Sequence, residues 1–449
     1  MARLGTRSPA DTPGSPALKR ELTTPLLYFF ILGDVLGAGV YVLVGQVAAD
    51  AGGAVWVPLA VALLLAMLTA ASYAELATKY PRAGGASHYA TRAFGPFAGF
   101  VAGFCMLAAG IVSVAALARG FGGDYLSEFV TLPVGLVAVL FLAVLALVNA
   151  RGIKESTRAN VAATVVEVGG LLVIVALGAW LLLRGDGDVG RLGELGTPEK
   201  GAAAAVLSGS VLAYYSFVGF ETSVNVAEET RDPRRSYPRA LFGALATAGA
   251  VYVLVGVAAS VAVPTARLAG SSGPLLEVVE EAGGVPTRLF SAIALVAVAN
   301  GALLTGIMSS RLAYGMAKDG LLPAALTKVL PGRRTPWAAI AVTTVLSMLL
   351  ALTGSVATLA STLVLLLLVV FLMVNTAVLV LRRDDRGEAD HFRAPTVLPV
   401  LGAASCVALA TQIEAEVWLR GLLVVAVGTV LAALAAVRRG GRARGGGRE

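Results

Sequence analysis

Four carboxylates stand inside long apolar stretches of the chain: Asp34, Glu75, Glu167 and Glu221. An ionised carboxylate in such surroundings is costly unless it is paired or beside water, so each must be protonated, partnered or solvated. Glu167 lies in the middle of Val165-Val166-Glu167-Val168-Gly169. A carboxylate there can carry a proton, attract a cation, or stay permanently protonated and hydrogen-bonded to a neighbouring helix. Asp34 offers the same choices one turn before a glycine cluster, Gly37-Ala38-Gly39. Glu75, close to Lys79 and Arg82, has a plainer role in capping or pairing at a span end.

Two stretches break the pattern of ordinary apolar helices. One reads Gly33-Asp34-Val35-Leu36-Gly37-Ala38-Gly39-Val40-Tyr41, the other Ala213-Tyr214-Tyr215-Ser216-Phe217-Val218-Gly219-Phe220-Glu221. Glycine in a helix interior costs about 1 kcal/mol relative to alanine and lets the backbone unwind. Close helix packing through small residues explains either cluster taken alone.

The elements that must position these groups are membrane spans. Of 449 residues 57% are hydrophobic and 14% charged, against roughly 25% charged in a soluble domain. Mean hydropathy is +0.81. A span needs about 20 mostly apolar residues. Twelve are expected, at 25–48, 54–78, 95–118, 129–149, 160–183, 202–227, 238–263, 287–310, 336–353, 356–381, 395–413 and 417–437. The loops between them are too short for an extramembrane domain, and the first span is too long for a removable signal peptide.

Charge then sets the orientation. The net charge is +7, and 28 of the 35 Lys and Arg residues fall at the two termini and in the even-numbered loops. Loop-by-loop alternation of this kind places both termini in the cytoplasm. The basic tail, Arg438 to Arg448, reads as an orientation signal, with anionic lipid as a secondary partner and no nucleic acid expected. Cys105 and Cys406 lie inside spans, so no disulfide is expected, and with only two histidines, His88 and His391, there is no metal-ligand cluster. No set of nucleophile, base and orienting group converges as an enzyme requires. No cofactor is expected.

The two broken stretches are spans 1 and 6, the first members of successive groups of five. Interruptions at matching positions point to an inverted repeat with a binding site at the bilayer midplane.

Four segments carry a resemblance to a known family. They are Gly37-Ala38-Gly39-Val40-Tyr41; Tyr73-Ala74-Glu75-Leu76 with Pro81 to Tyr89; Gly219-Phe220-Glu221 through Asp232-Pro233 with Tyr237-Pro238; and Arg311 through Lys318-Asp319-Gly320-Leu321-Leu322-Pro323. From about residue 23 to 437 the sequence resembles the amino acid-polyamine-organocation superfamily of secondary transporters. The resemblance implies an all-α fold of the leucine-transporter type, with a five-plus-five inverted repeat and two extra helices. The divisions expected are a tail at 1–24, a first repeat at 25–183, a second at 202–381, two further spans at 395–437 and a basic tail at 438–449.

Further implications concern the site. The substrate carboxylate is expected on backbone N–H groups of Gly37, Ala38 and Gly39, the ammonium on carbonyls around Tyr215, Ser216 and Val218, and Phe217 as an aromatic gate or a packing residue. Glu167 is a coupling candidate together with Asp34, Glu221 and Thr305, with Ser309 beside Thr305. Some proton-coupled relatives carry a lysine near the Glu167 position, so here the sign is reversed. Arg311 and Asp319, with the Arg231 to Arg239 run, are candidates for a cytoplasmic gate. The Pro81 to Tyr89 loop is expected to re-enter or lie along the inner face, with Tyr89 as an interfacial anchor.

Ala108-Ala109-Gly110 stands where cationic-substrate members often carry an acid, which favours a neutral amino acid, with Glu221 as another source of negative charge. The loop 119–129 has no cysteine, so no disulfide-linked heavy subunit is expected. The expected activity is proton-coupled transport of amino acids across the cell membrane, with sodium as the alternative ion. Obligatory exchange of amino acids or polyamines is the second reading. A receptor or sensor on the same fold is the third.

Overall fold

The structure is a computed structural model that describes residues 22–81, 84–152, 157–198, 200–384 and 391–445. Residues 1–21 of the expected N-terminal tail, Arg82, and the last residues of the expected basic tail, Arg448 included, lie outside the described residues. Among the described residues the chain is helical, with one isolated β-bridge between Leu22 and Thr230.

The first apolar stretch is split into α1 (Thr24–Val35) and α2 (Gly39–Ala51), bent by 48°. Next come α3 (Trp56–Lys79), α4 (Gly85–Phe94), α5 (Pro96–Phe121), the short α6 (Asp124–Ser127), α7 (Val134–Arg151) and α8 (Thr157–Arg184). The sixth stretch is also split, into α9 (Ala202–Tyr215) and a 3-10 helix, Phe220–Glu229. Then follow α10 (Pro233–Ala262), the short α11 (Thr265–Gly270), α12 (Pro274–Ala282) and the long α13 (Thr287–Lys318). The chain continues through α14 (Trp337–Thr353), α15 (Val356–Leu381), α16 (Val397–Ala410) and α17 (Ala415–Gly445).

Eight of these segments are long and apolar enough to cross a bilayer. The bent pair α1 and α2 qualifies as one more, and α16 with Ala415–Val430 qualifies as a pair turned by 117°. Helix α14 is apolar with 17 residues. Large apolar side chains point outward all along the bundle, among them Leu147, Leu183 and Leu419. Such a surface suits hydrocarbon, and a helix leaves no backbone group unsatisfied there. The chain is an all-α, multi-pass membrane protein.

Inside, helices approach closely where glycine removes a side chain. A Cβ on Gly256 of α10 would lie 3.1 Å from the Trp56 backbone, and one on Gly249 would strike Leu63 at 2.4 Å. This small-residue contact seats α10 against α3. Helices α13 and α15 pack on α5 in the same interior, and α2 packs on α9.

The Pro81 to Tyr89 loop folds more than expected. Gly84 and Gly85, at φ of 126° and 49°, make the turn into α4. Tyr89 is fully buried rather than interfacial, because the apolar face of α4, with Ala86 and Ala90, turns inward against α5 and α15.

Glu75 is paired, as expected at a span end, with Arg382 just past α15. The guanidinium holds the carboxylate with both nitrogens, Nε to Oε1 at 2.7 Å and Nη2 to Oε2 at 2.5 Å. Ala394 N–H adds a bond at 2.9 Å to the same carboxylate, and Lys79 Nζ reaches the Leu381 carbonyl at 3.0 Å. The sequence separation of 307 residues hides this pair from any local reading. Glu75 is 1% and Arg382 9% exposed, so the bond is shielded from water. Removing one partner strands a buried charge. Arg382→Met should therefore lower stability by about 3–5 kcal/mol, read as a drop in melting temperature in detergent, and the double variant Glu75→Met, Arg382→Met should recover most of it.

Candidate functional site

The two chain breaks meet. A Cβ on Gly39 would lie 3.0 Å from Ser216 Cα, and one on Gly219 only 2.6 Å from the Asp34 carbonyl. Gly219 has φ of 131°, which a residue with a side chain rarely adopts. Each break is thus packed against the other by glycine.

The groups freed by unwinding find local partners. Val35 O, deprived of its helical donor, accepts from Tyr252 Oη at 2.6 Å and from Gly37 N–H at 2.7 Å. Gly37 N–H is therefore already engaged, while Ala38 and Gly39 open α2, whose first N–H groups have no donor-to-carbonyl bond within the helix. At the second break, 3-10 turns run from Ser216 N to Ala213 O, Phe217 N to Tyr214 O and Val218 N to Tyr215 O at 3.0–3.1 Å. Gly219 N–H donates to the Glu221 carboxylate at 2.8 Å. Thr222 Oγ1 donates to Asp34 Oδ2, so residues 219–222 bring two of the expected carboxylates to one place.

Both breaks border a cavity of about 480 Å³. Its wall contains Gly37, Ala38, Gly39, Tyr215, Ser216 and Val218, together with Asp34, Glu167, Glu221 and Thr305. Ser309 and Arg311 also line it. The remaining wall is mostly apolar, from Met106 and Leu117 of α5 and Leu304, Met308 and Leu312 of α13. Asn225, Met308 and Arg311 are both exposed and cavity-lining, so the cavity is reached from the end where they stand.

Two expected residues lie elsewhere. Phe217 is fully buried, edge-to-face with Tyr252 at 5.4 Å between ring centres, and does not line the cavity. The 3-10 turn at 216–218 directs its side chain away from the wall that Ser216 and Val218 form. The aromatic ring on the wall is that of Tyr215, fixed by a 2.9 Å hydrogen bond with Ser113 Oγ of α5. Asp319 is exposed just past the end of α13, about two helical turns from Arg311 and outside the cavity wall.

Glu167 is 1% exposed. Its Oε1 accepts from Asn300 Nδ2 of α13 at 2.9 Å, and its backbone carbonyl accepts from Tyr41 Oη at 2.6 Å. Asn300 was not anticipated, although an amide in the apolar run Ala297-Val298-Ala299-Asn300 is itself a signal, because it needs a partner at that depth. Ser113, in Val112-Ser113-Val114, carries the same signal.

The cavity thus combines two unwound segments, buried carboxylates and a mostly apolar wall. Residues 22–435 match the family described as Amino acid permease. The chain belongs to the amino acid permease family. That family sits in the amino acid-polyamine-organocation superfamily, and its members are transporters, not enzymes. Among relatives, a branched-chain amino acid permease of Bacillus subtilis is 27% identical, covering 94% of this chain and 94% of its own. A methylthioribose transporter of the same organism is 25% identical over 96% of this chain and 97% of its own. A vacuolar cationic amino acid transporter of Arabidopsis thaliana is 32% identical over 82% of this chain and 64% of its own.

Any side chain at Gly39 would fill the space shared with Ser216 and Tyr215. Gly39→Val should weaken substrate binding at least about tenfold, the effect of roughly 1.4 kcal/mol, in an equilibrium binding assay on detergent-purified protein. Wild-type affinity in that variant would remove the site from the breaks.

Proposed function

We propose that the chain is a secondary active transporter that carries neutral amino acids through the cell membrane by alternating access, coupled to protons at Glu167. The observation that carries this reading is the cavity at the meeting of the two breaks, with the Glu167 carboxylate in its wall. A free amino acid brings a carboxylate and an ammonium. The start of α2 at Gly39, preceded by Ala38, suits the carboxylate through N–H groups and the positive end of a helix. The turn at Tyr215, Ser216 and Val218 suits the ammonium.

The side-chain subsite is the apolar wall. At the α5 face it offers Met106, Ala109 and Gly110, with no charged group, which supports a neutral substrate. The branched-chain permease among the relatives agrees with that choice. Asp34 and Glu221, also on the wall, favour cationic amino acids as the second reading, in line with the name of the plant relative.

Coupling follows from where Glu167 stands. An uncompensated charge at this depth is costly, and Asn300 alone is a neutral partner. Loading the carboxylate with a proton removes that charge and lets the surrounding helices repack around a filled cavity. Thr305, Asp34 and Glu221 are the other coupling candidates, with sodium as the alternative ion. In this scheme 25–183 and 202–381 are inverted repeats, both termini are cytoplasmic, and the cavity opening beside Arg311 faces the cytoplasm. Arg311 and Asp319 belong to the gate on that side.

The test is uptake of labelled leucine, alanine and arginine into proteoliposomes, with an inward proton gradient imposed or collapsed. Leucine or alanine should accumulate uphill, and collapse of the gradient should abolish accumulation. Arginine alone accumulating would install the cationic reading, and uptake that ignores the gradient but requires internal amino acid would make the protein an exchanger. Glu167→Gln should bring accumulation down to the level seen without a gradient. An unchanged response to the gradient would retire Glu167 from coupling.

A further inference from the structure

The cavity opens beside Arg311, and three fully buried rings, Tyr41, Tyr125 and Phe290, pack together where α2 and α13 lead away from that opening. Tyr41 is two residues beyond Gly39 in α2. Phe290 is on α13 ten residues before Asn300, hence about 15 Å farther along the axis. Phe290 lies against Tyr41 at 6.3 Å and against Tyr125 at 6.4 Å between ring centres.

Hydrogen bonds string this layer to the cavity wall. Tyr125 Oη donates to the Tyr41 carbonyl at 2.7 Å, Tyr41 Oη donates to the Glu167 carbonyl at 2.6 Å, and the Glu167 carboxylate is held by Asn300. Helix α8 leaves space for the tyrosine hydroxyl by carrying glycine at position 170. A Cβ there would lie 2.4 Å from Tyr41 Oη. On the other side of the layer, the Asp124 carboxylate beside Tyr125 accepts from Ser272 N–H at 2.8 Å, Gly273 N–H at 3.1 Å and Ser271 Oγ at 3.0 Å. The turn before α12 is thereby tied to the same layer.

We propose that this layer closes the cavity and that Tyr41 is the positioning residue that links Glu167 to that closed end. Its hydroxyl fixes α8 at Glu167, and its carbonyl and ring hold the aromatic layer. A displacement of α8 when Glu167 changes its load therefore moves the seal. This rests on the coupling role given to Glu167. The hydroxyl acts on position, so its loss separates closure from binding.

The experiment uses the full chain in intact cells, with Leu117→Cys as a reporter because Leu117 lines the cavity beside Gly301 of α13. The native Cys105 and Cys406 are buried. Adding Tyr41→Phe to the reporter should raise labelling by an impermeant maleimide applied outside by about fivefold, the loss expected for one hydrogen bond. In the chain without the reporter, Tyr41→Phe should leave KM for uptake within about twofold while gradient-driven accumulation falls about fivefold. Gly170→Ala, which pushes on the same hydroxyl from α8, should reproduce both changes and serves if Tyr41→Phe does not fold.

Labelling and accumulation equal to the parent in both variants would overturn the proposal, as would a rise in KM that accounts for the whole loss. Glu167→Gln run in parallel separates the two ideas. If it leaves the gradient response intact, the coupling role falls, and labelling alone decides whether Tyr41 holds the seal.

Discussion

A polypeptide at bilayer depth cannot leave its backbone open, and every feature of this site follows from how two unwound segments meet that demand. Neither break is solvated by the other's side chains alone. Val35 O is capped by Tyr252 and Gly37, Gly219 N–H turns to the Glu221 carboxylate, and Thr222 bonds Asp34. Glycine at positions 39 and 219 brings the breaks into contact. Side chains at both places would force the breaks apart and convert the cavity wall into an ordinary helix crossing.

The carboxylates sort themselves by the partner each has found. Glu75 has a bidentate guanidinium and a backbone N–H, so its charge is fully answered and fastens the end of α3 to α15 and to the segment before α16. Such a pair resists movement, since opening it exposes two charges to a poor solvent. Glu167 has an amide and a cavity instead. A group with a neutral partner and access to the cavity can change its charge without breaking an ion pair, which is the property a coupling group needs. Asp34 and Glu221 share that situation, held by neutral donors beside the same cavity.

Much of this was legible in the sequence because membrane constraints are local. Apolar run length marked the helices, glycine clusters marked both breaks, and a carboxylate in an apolar run marked Asp34, Glu167 and Glu221 for the cavity wall. Three things were not legible. The partner of Glu75 lies 307 residues away, so proximity in the chain could not point to it. The direction of Phe217 depends on 3-10 turns at 216–218, and a ring placed by α-helical spacing would point elsewhere. Tyr89 faces inward because α4 exists, and α4 exists through turns at Gly84 and Gly85 that the sequence shows only as permission to bend.

Asn300 and Ser113 teach the converse. Each is a single polar group in an apolar run, and each turns out to hold a wall residue, Glu167 in one case and Tyr215 in the other. Both partners come from helices, α13 and α5, that run unbroken past the cavity, whereas Tyr215 stands at the edge of a break. Continuous helices can keep a side chain in register because their backbone bonds are complete, and the broken ones cannot. Asn300 and Ser113 thus anchor the wall from unbroken helices, while Gly39, Tyr215 and Ser216 bring the two breaks to the same cavity.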